Sequence, residues 1–180
     1  MRLFIAVNFT DTVKDSLCET IRRLQNSALQ GNFTRRENLH LTLAFLGETT
    51  KIDEIKRSMD QVNTEPFSLL IEGFGKFGRN GGDLFWVGVK NSEKLNFIYT
   101  RLWEELSKVG FVPEARAFKP HLTLGREVLV SNSFDRIEFE KSLVPIRMDV
   151  INFSLMNSER ILGKLTYTEI YSKQLGTITQ

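Results

Sequence analysis

Apolar side chains run unbroken from Leu3 to Val7, and Phe9 follows one polar residue later, so Leu3 to Phe9 reads as a short opening strand buried on both faces. The period then changes. Val13, Leu17, Ile21, Leu24 and Ala28 recur at helical spacing, the stripe of an amphipathic helix, with Thr12 and Asp15 in capping-box positions at its start and Gly31 and Asn32 at its end. Leu39 to Leu46 alternates apolar and polar, as a strand with one buried face does. Ile52, Ile55, Met59 and Val62 mark a second, shorter helix. Phe67 to Phe74 and Leu84 to Val89 are expected strands, joined by the loop Gly78 to Asp83. That loop is Gly-rich but lacks a following Lys-Ser/Thr, so it reads as a hairpin connection rather than a phosphate cradle.

A third helix is expected over Ser92 to Val109, with Leu95, Tyr99, Leu102, Leu106 and Val109 on one face and Gly110 closing it. A second alternating stretch begins at His121. Pro145 to Met156 and Leu165 to Tyr171 then read as closing strands around the polar turn Asn157 to Lys164. No composition shift or linker interrupts this order, so residues 1–180 are expected to form one α+β domain. The recurrence of a helix before each alternating strand suggests two related lobes.

Composition changes this picture little. Lys plus Arg number 24 and Asp plus Glu 22, a net charge of +2, compatible with an anionic ligand but too small to mark a nucleic-acid binder. Cys18 is the single cysteine, which excludes an internal disulfide and a Cys-rich metal site and suits a reducing, cytoplasmic compartment; its helical position suggests a buried structural thiol. The opening apolar run is too short for a signal-peptide core or a membrane span, so no membrane association is expected.

The chemistry lies in one repetition. The tetrapeptide HLTL occurs at His40 to Leu43 and again at His121 to Leu124, and these copies contain both histidines of the chain. On a strand, Leu39, Leu41, Leu43 and Phe45 share one face, and His40, Thr42 and Ala44 the other; Leu122 and Leu124 likewise oppose His121, Thr123 and Gly125. Each copy thus buries leucines and sets His beside Thr, about 6.5–7 Å apart along the strand. Ala44 and Gly125 come next on that face and would leave room for a ligand. Arg126 falls on the face opposite His121 by the same alternation.

A lone His-x-Thr would be a hydrogen-bonded structural histidine; two copies that use every histidine argue for function. Zinc would need three or four ligands with Cys or carboxylate partners, and none stands beside either motif. A Ser-His-Asp or Cys-His nucleophile needs only one histidine. Displacement at phosphorus, by contrast, needs one oxygen deprotonated and the opposite one protonated, and imidazole serves both roles near neutral pH. The threonine hydroxyls can donate to the non-bridging oxygens.

With these motifs the chain resembles the two-histidine phosphoesterases, and in particular the bacterial and archaeal RNA 2',3'-cyclic phosphodiesterases, also called 2'-5' RNA ligases. The segments RLFIAVNF, NLHLTLAFLGE, LFWVGV and FKPHLTLGR all look like family segments in family order. The resemblance implies a bilobal, pseudo-symmetric α+β fold of antiparallel sheets, with helices outside and a central cleft. It implies opening of a terminal 2',3'-cyclic phosphate on RNA to a 2'-phosphate without metal or other cofactor. His40 would be the proton donor to the departing 3' oxygen, His121 the proton acceptor from water, and Thr42 and Thr123 the phosphate holders. Arg126 matches a family arginine and would be a phosphate contact or a structural residue. Some members also join RNA ends through a 2',5' linkage. Relatives often read Arg-Pro-Phe-x-Pro before the second motif, where this chain has Ala117 in place of the first proline. A monomer is expected. Two other readings stay open at this point: hydrolysis of another small cyclic or 2',5'-linked nucleotide, such as ADP-ribose cyclic phosphate, and a nucleotide-binding module without turnover.

Overall fold

The computed structural model describes residues 1–176. Strand β1 (Arg2–Asn8) leads into helix α1 (Asp11–Asn26), which buries Val13, Leu17, Ile21 and Leu24. Its N-cap is Thr10, whose hydroxyl accepts from the Val13 N–H at 3.4 Å, so the expected Thr12–Asp15 box is not the cap. The helix also stops earlier than its stripe suggests. Ala28 already belongs to β2 (Ala28–Phe33), which pairs with the second HLTL strand; Gly31 is a strand residue that packs on Val128 and Phe33 rather than a helix stop. Backbone pairing wins there because Leu29, 75% exposed, gives a further helical turn nothing to bury. Cys18 is half-buried against the core, less covered than its helical position suggests.

A 3₁₀ turn (Arg36–Asn38) precedes β3 (His40–Glu48), followed by α2 (Ile52–Asp60), β4 (Phe67–Phe77), β5 (Asp83–Val89) and α3 (Glu93–Lys108). Then come β6 (His121–Val130), a short helix α4 (Arg136–Lys141), β7 (Ile146–Val150), β8 (Asn152–Ile161) and β9 (Lys164–Gln174). The expected single strand from Pro145 to Met156 is two strands in different sheets, broken at the exposed Ile151. The polar stretch Asn157 to Lys164 is mostly ladder rather than loop. Only Leu162 and Gly163, both at positive φ, make its turn.

Two antiparallel sheets result, one in the order β3-β1-β8-β9 and one in the order β2-β6-β5-β4-β7. Helices exchange between them. α1 leaves the four-stranded sheet and covers the five-stranded one against β2, β6 and β7; α3 leaves the five-stranded sheet and packs on α2 and β3. This exchange ties the halves into one continuous apolar core of Leu, Ile, Val and Phe. The other face of the four-stranded sheet carries a small separate cluster of Phe4, Ala6 and Met156 with Tyr167, and β3 touches β6 directly. The two HLTL strands therefore adjoin, each in its own sheet.

Both HLTL strands break their alternation at the same letter. In the first, Asn8 faces His40, Val7 faces Leu41 and Ala6 faces Thr42, but the next pair is Ile5 with Ala44. In the second, Gly88 faces His121, Val87 faces Leu122 and Trp86 faces Thr123, and the next pair is Phe85 with Gly125. Leu43 and Leu124 are each a bulge, the extra residue that two-for-one pairing leaves over. Beyond a bulge the faces invert.

Candidate active site

The inversion corrects four expectations. Ala44 is in the core at 2% exposure, and Phe45 turns out at 57%, with its ring 6.3 Å from that of Phe4 on the His40 side. Gly125 likewise faces the core: a Cβ there would meet Val128 and the Phe33 ring at about 3 Å. Arg126 is consequently brought to the face of His121, and its charge acts on both imidazoles and on Tyr167. The site thus gathers His40, Thr42, His121, Thr123 and Arg126, the last by a bulge that strict alternation does not reveal.

Each imidazole is clamped in the same way. Nδ1 of His40 donates to the carbonyl of Asn38 at 2.7 Å, and Nδ1 of His121 donates to the carbonyl of Lys119 at 2.7 Å. A carbonyl only accepts, so the proton of each neutral ring sits on Nδ1 and leaves Nε2 to exchange protons with a ligand. Asn38 is itself buried, and its side-chain amide donates to the carbonyl of Leu165 at 3.0 Å, fixing the approach to β3 against β9. The clamps are backbone atoms two residues upstream, which carry no side-chain signal in the sequence.

The surroundings differ. His40 lies between Phe4, 4.9 Å away, and the edge of Tyr167, 5.2 Å away, and its Nε2 accepts from Thr42 Oγ1 at 2.9 Å. Burial pushes its pKa down to about 4 against the opposing Asn38 bond, and the charges of Arg126 and His121 push the same way. His121 meets Phe77 edge-on at 5.3 Å and Trp86 at 6.1 Å. Its pKa is also lowered, first by burial and then by Arg126, Lys119 and Arg116, against the Lys119 carbonyl. Burial lowers the pKa of Arg126 too, with Arg79 adding to it, though a guanidinium stays charged. In the free protein at neutral pH, therefore, both imidazoles are neutral, with the Arg126 cation acting on each of them. Such a site takes an anion and can pass protons on both sides of it. Among the described residues no group of three or more His, Cys, Asp or Glu is arranged to hold a metal ion, and no helix is long and apolar enough to cross a membrane.

Comparison with solved structures sets the class: the fold is that of the two-histidine phosphoesterases. The apo form of Escherichia coli LigT superposes with a TM-score of 0.80 over 98% of both chains at 21% identity. A Thermus thermophilus protein does so with a TM-score of 0.78 over 97% of this chain and 98% of that one at 23% identity. Residues 13–161 match the profile of the 2'-5' RNA ligase superfamily, and the chain belongs to that family. It is 36% identical to the RNA 2',3'-cyclic phosphodiesterase of Thermotoga maritima over 97% of this chain and 95% of that one. Identity is also 36% to the Archaeoglobus fulgidus protein of the same name, over 70% of this chain and 72% of that one.

Proposed function

We propose that the protein opens the 2',3'-cyclic phosphate at an RNA end to a 2'-phosphate by histidine acid–base catalysis. The observation that carries this reading is the matched pair of clamps, which holds the proton of each neutral ring on Nδ1 and leaves both Nε2 atoms as the proton-exchanging ones, within reach of the Arg126 charge. His121 Nε2 takes a proton from water as its oxygen attacks phosphorus; the P–O3' bond breaks opposite, and His40 gives its proton to O3'. Thr42, Thr123 and Arg126 hold the non-bridging oxygens, where charge is greatest in the transition state. The resemblance supplies the direction of transfer, since the two clamps alone are alike.

The depressed pKa of His40 shapes this cycle. A free imidazole near pKa 4 is not an acid at neutral pH, so the substrate must bring the site its proton affinity. A phosphate anion against Arg126 offsets the guanidinium charge and favours the imidazolium, so binding draws a proton onto His40. No metal is needed for either proton transfer, and threonine hydroxyls are poor metal ligands. A single catalytic unit working as a cytoplasmic monomer belongs to the same reading, supported by the lone Cys18 and the continuous core. The test is an oligoribonucleotide ending in 2',3'-cyclic phosphate, incubated with EDTA. A 2'-phosphate product is expected. A 3'-phosphate product, binding without turnover, or a loss of activity that one divalent ion restores would overturn the reading.

A further inference from the structure

In-line displacement fixes where the nucleoside lies. O2' and O3' belong to one ribose, so the terminal nucleoside must sit on the leaving-group side, over the sheet face that carries His40, Phe4, Phe45 and Tyr167. Further along that face stands a carboxylate that neither proton transfer uses. Ile170 is the extra residue of a bulge in β9: Tyr171 pairs with Leu155 and Glu169 with Met156. The bulge turns Glu169 to the face of Met156, Phe4 and Ala6 rather than to the main core. Tyr167, two residues away on β9, shares that face and meets His40 edge-on at 5.2 Å. Asn8, directly opposite His40 in the β1–β3 ladder, reaches Glu169 from the other direction. Glu169 thus adjoins the surroundings of His40 through both neighbours.

The carboxylate is held by one oxygen. Its Oε2 accepts from Ser154 Oγ at 2.6 Å and from Asn8 Nδ2 at 3.2 Å, and Ser154 is 0% exposed. Two donors fill that oxygen, while Oε1 has no hydrogen-bond partner among the described residues. The charges of Arg126, Arg2 and Arg35 all reach the neighbouring Tyr167, so this face is otherwise set for an anion. A carboxylate there opposes the phosphate. What it adds is a fixed acceptor. In an RNA chain O2' and O3' are in the cyclic phosphate and O5' in the preceding phosphodiester, so the terminal nucleoside keeps hydrogen-bond donors on its base alone. Resting on the function proposed above, we infer that Glu169 is a specificity-determining residue that reads the terminal base through Oε1. It accepts from an exocyclic amino group, so an end in cytidine is preferred to one in uridine, whose O4 carbonyl has no proton to give the carboxylate. Asn8 and Ser154 are positioning residues that hold the acceptor in place.

The two pyrimidines have the same shape and differ at that edge, which makes them the test. Oligoribonucleotides identical except for a terminal cytidine or uridine 2',3'-cyclic phosphate are hydrolysed in competition. The ratio of their kcat/KM values is read for the wild type, Glu169→Gln and Glu169→Ala, and it does not depend on how much of a variant is folded. The wild type should favour the cytidine end by at least about tenfold, the low end for a hydrogen bond to a charged group. Glu169→Gln should reverse the preference. Ser154 and Asn8 still require an acceptor, so the amide oxygen takes the place of Oε2 and the amide nitrogen that of Oε1, a donor now facing uridine O4. Glu169→Ala should bring the ratio near one. A wild type that hydrolyses both ends equally, or a cytidine preference that Glu169→Gln and Glu169→Ala both keep, overturns the inference and leaves the proposed function standing. A wild type that yields a 2'-phosphate from neither end overturns the two together.

Discussion

The strand from His40 and the strand from His121 begin with the same four letters, and the two halves of the cleft show how much those letters control. What they share is backbone: a histidine Nδ1 bonded to the carbonyl two residues back, leucines in the core, and a bulge at the final leucine. Almost everything else differs. β3 is the edge of a four-stranded sheet, with His40 boxed by Phe4 and Tyr167 and bonded to Thr42. β6 lies inside a five-stranded sheet, and His121 opens onto Phe77, Trp86 and Lys119. Thr123 is tied instead through its carbonyl, which accepts from Thr34 Oγ1 at 2.8 Å. Repetition supplies a matched pair of clamped imidazoles, and the walls around them give each its own affinity for the proton.

The largest expected effect tests the shared part. His40→Ala and His121→Ala should each lower kcat by roughly 10²–10⁴-fold, the range for losing one general acid or base. Circular dichroism should show both variants folded, and a fully active variant would leave that histidine out of the chemistry. The next test separates the pair. A substrate with a more acidic alcohol at the 3' position needs less proton donation, so it should rescue His40→Ala by at least about tenfold more than His121→Ala. Equal rescue would remove the assignment, and rescue of His121→Ala alone would reverse it.

Titration sharpens the contrast further. With only two histidines, NMR can follow each ring without ambiguity. In the free protein His40 should titrate near pH 4, and His121 below its ordinary value. Inorganic phosphate or a nucleoside 2'-phosphate should raise both. The complex then holds protons that the free site does not, so affinity should strengthen as pH falls from the bound pKa towards about 4. Affinity independent of pH over that window would contradict the coupling of proton and anion. Folding has the related sign. An unfolded histidine takes its proton near pH 6.5 and the folded His40 does not, so this stabilisation is complete above 6.5 and is lost as pH falls towards about 4. His40→Asn should flatten that part of a denaturation midpoint against pH curve.

The smallest effect concerns the one side-chain bond that breaks the symmetry. Thr42→Val removes the hydroxyl that donates to neutral His40 Nε2 and should move the His40 titration upward, whereas Thr123→Val should leave that of His121 nearly in place. Matching shifts in the two variants would mean that the threonines act alike in solution.

Much of this was legible along the chain. The leucine faces of the HLTL strands, the stripes of α1, α2 and α3 and the pairing of His with Thr follow from residue spacing, because period two and period 3.6 are local properties of the backbone. The resemblance then places His40 and His121 in one cleft. The reversal after each motif was not legible. A bulge is chosen by the partner strand, and neither Leu43 nor Leu124 differs in type from the leucines that keep the register. Arg126 reaches the site for that reason alone. The same holds for the end of α1, where β6 supplies a strand partner to Ala28–Phe33, and for Ile151, where the chain leaves one sheet for the other.

By itself the sequence determined which residues are the candidates for the chemistry: two imidazoles and two hydroxyls, in motifs whose polarity places them on one face of each strand. Only the tertiary structure decided their surroundings. It set the Asn38 and Lys119 carbonyls against the rings, buried His40 deeply enough to move its pKa to about 4, and laid Trp86 beside His121 but not beside His40. Proton affinity depends on desolvation and on charges brought near by distant segments, and neither is a property of any short stretch of chain.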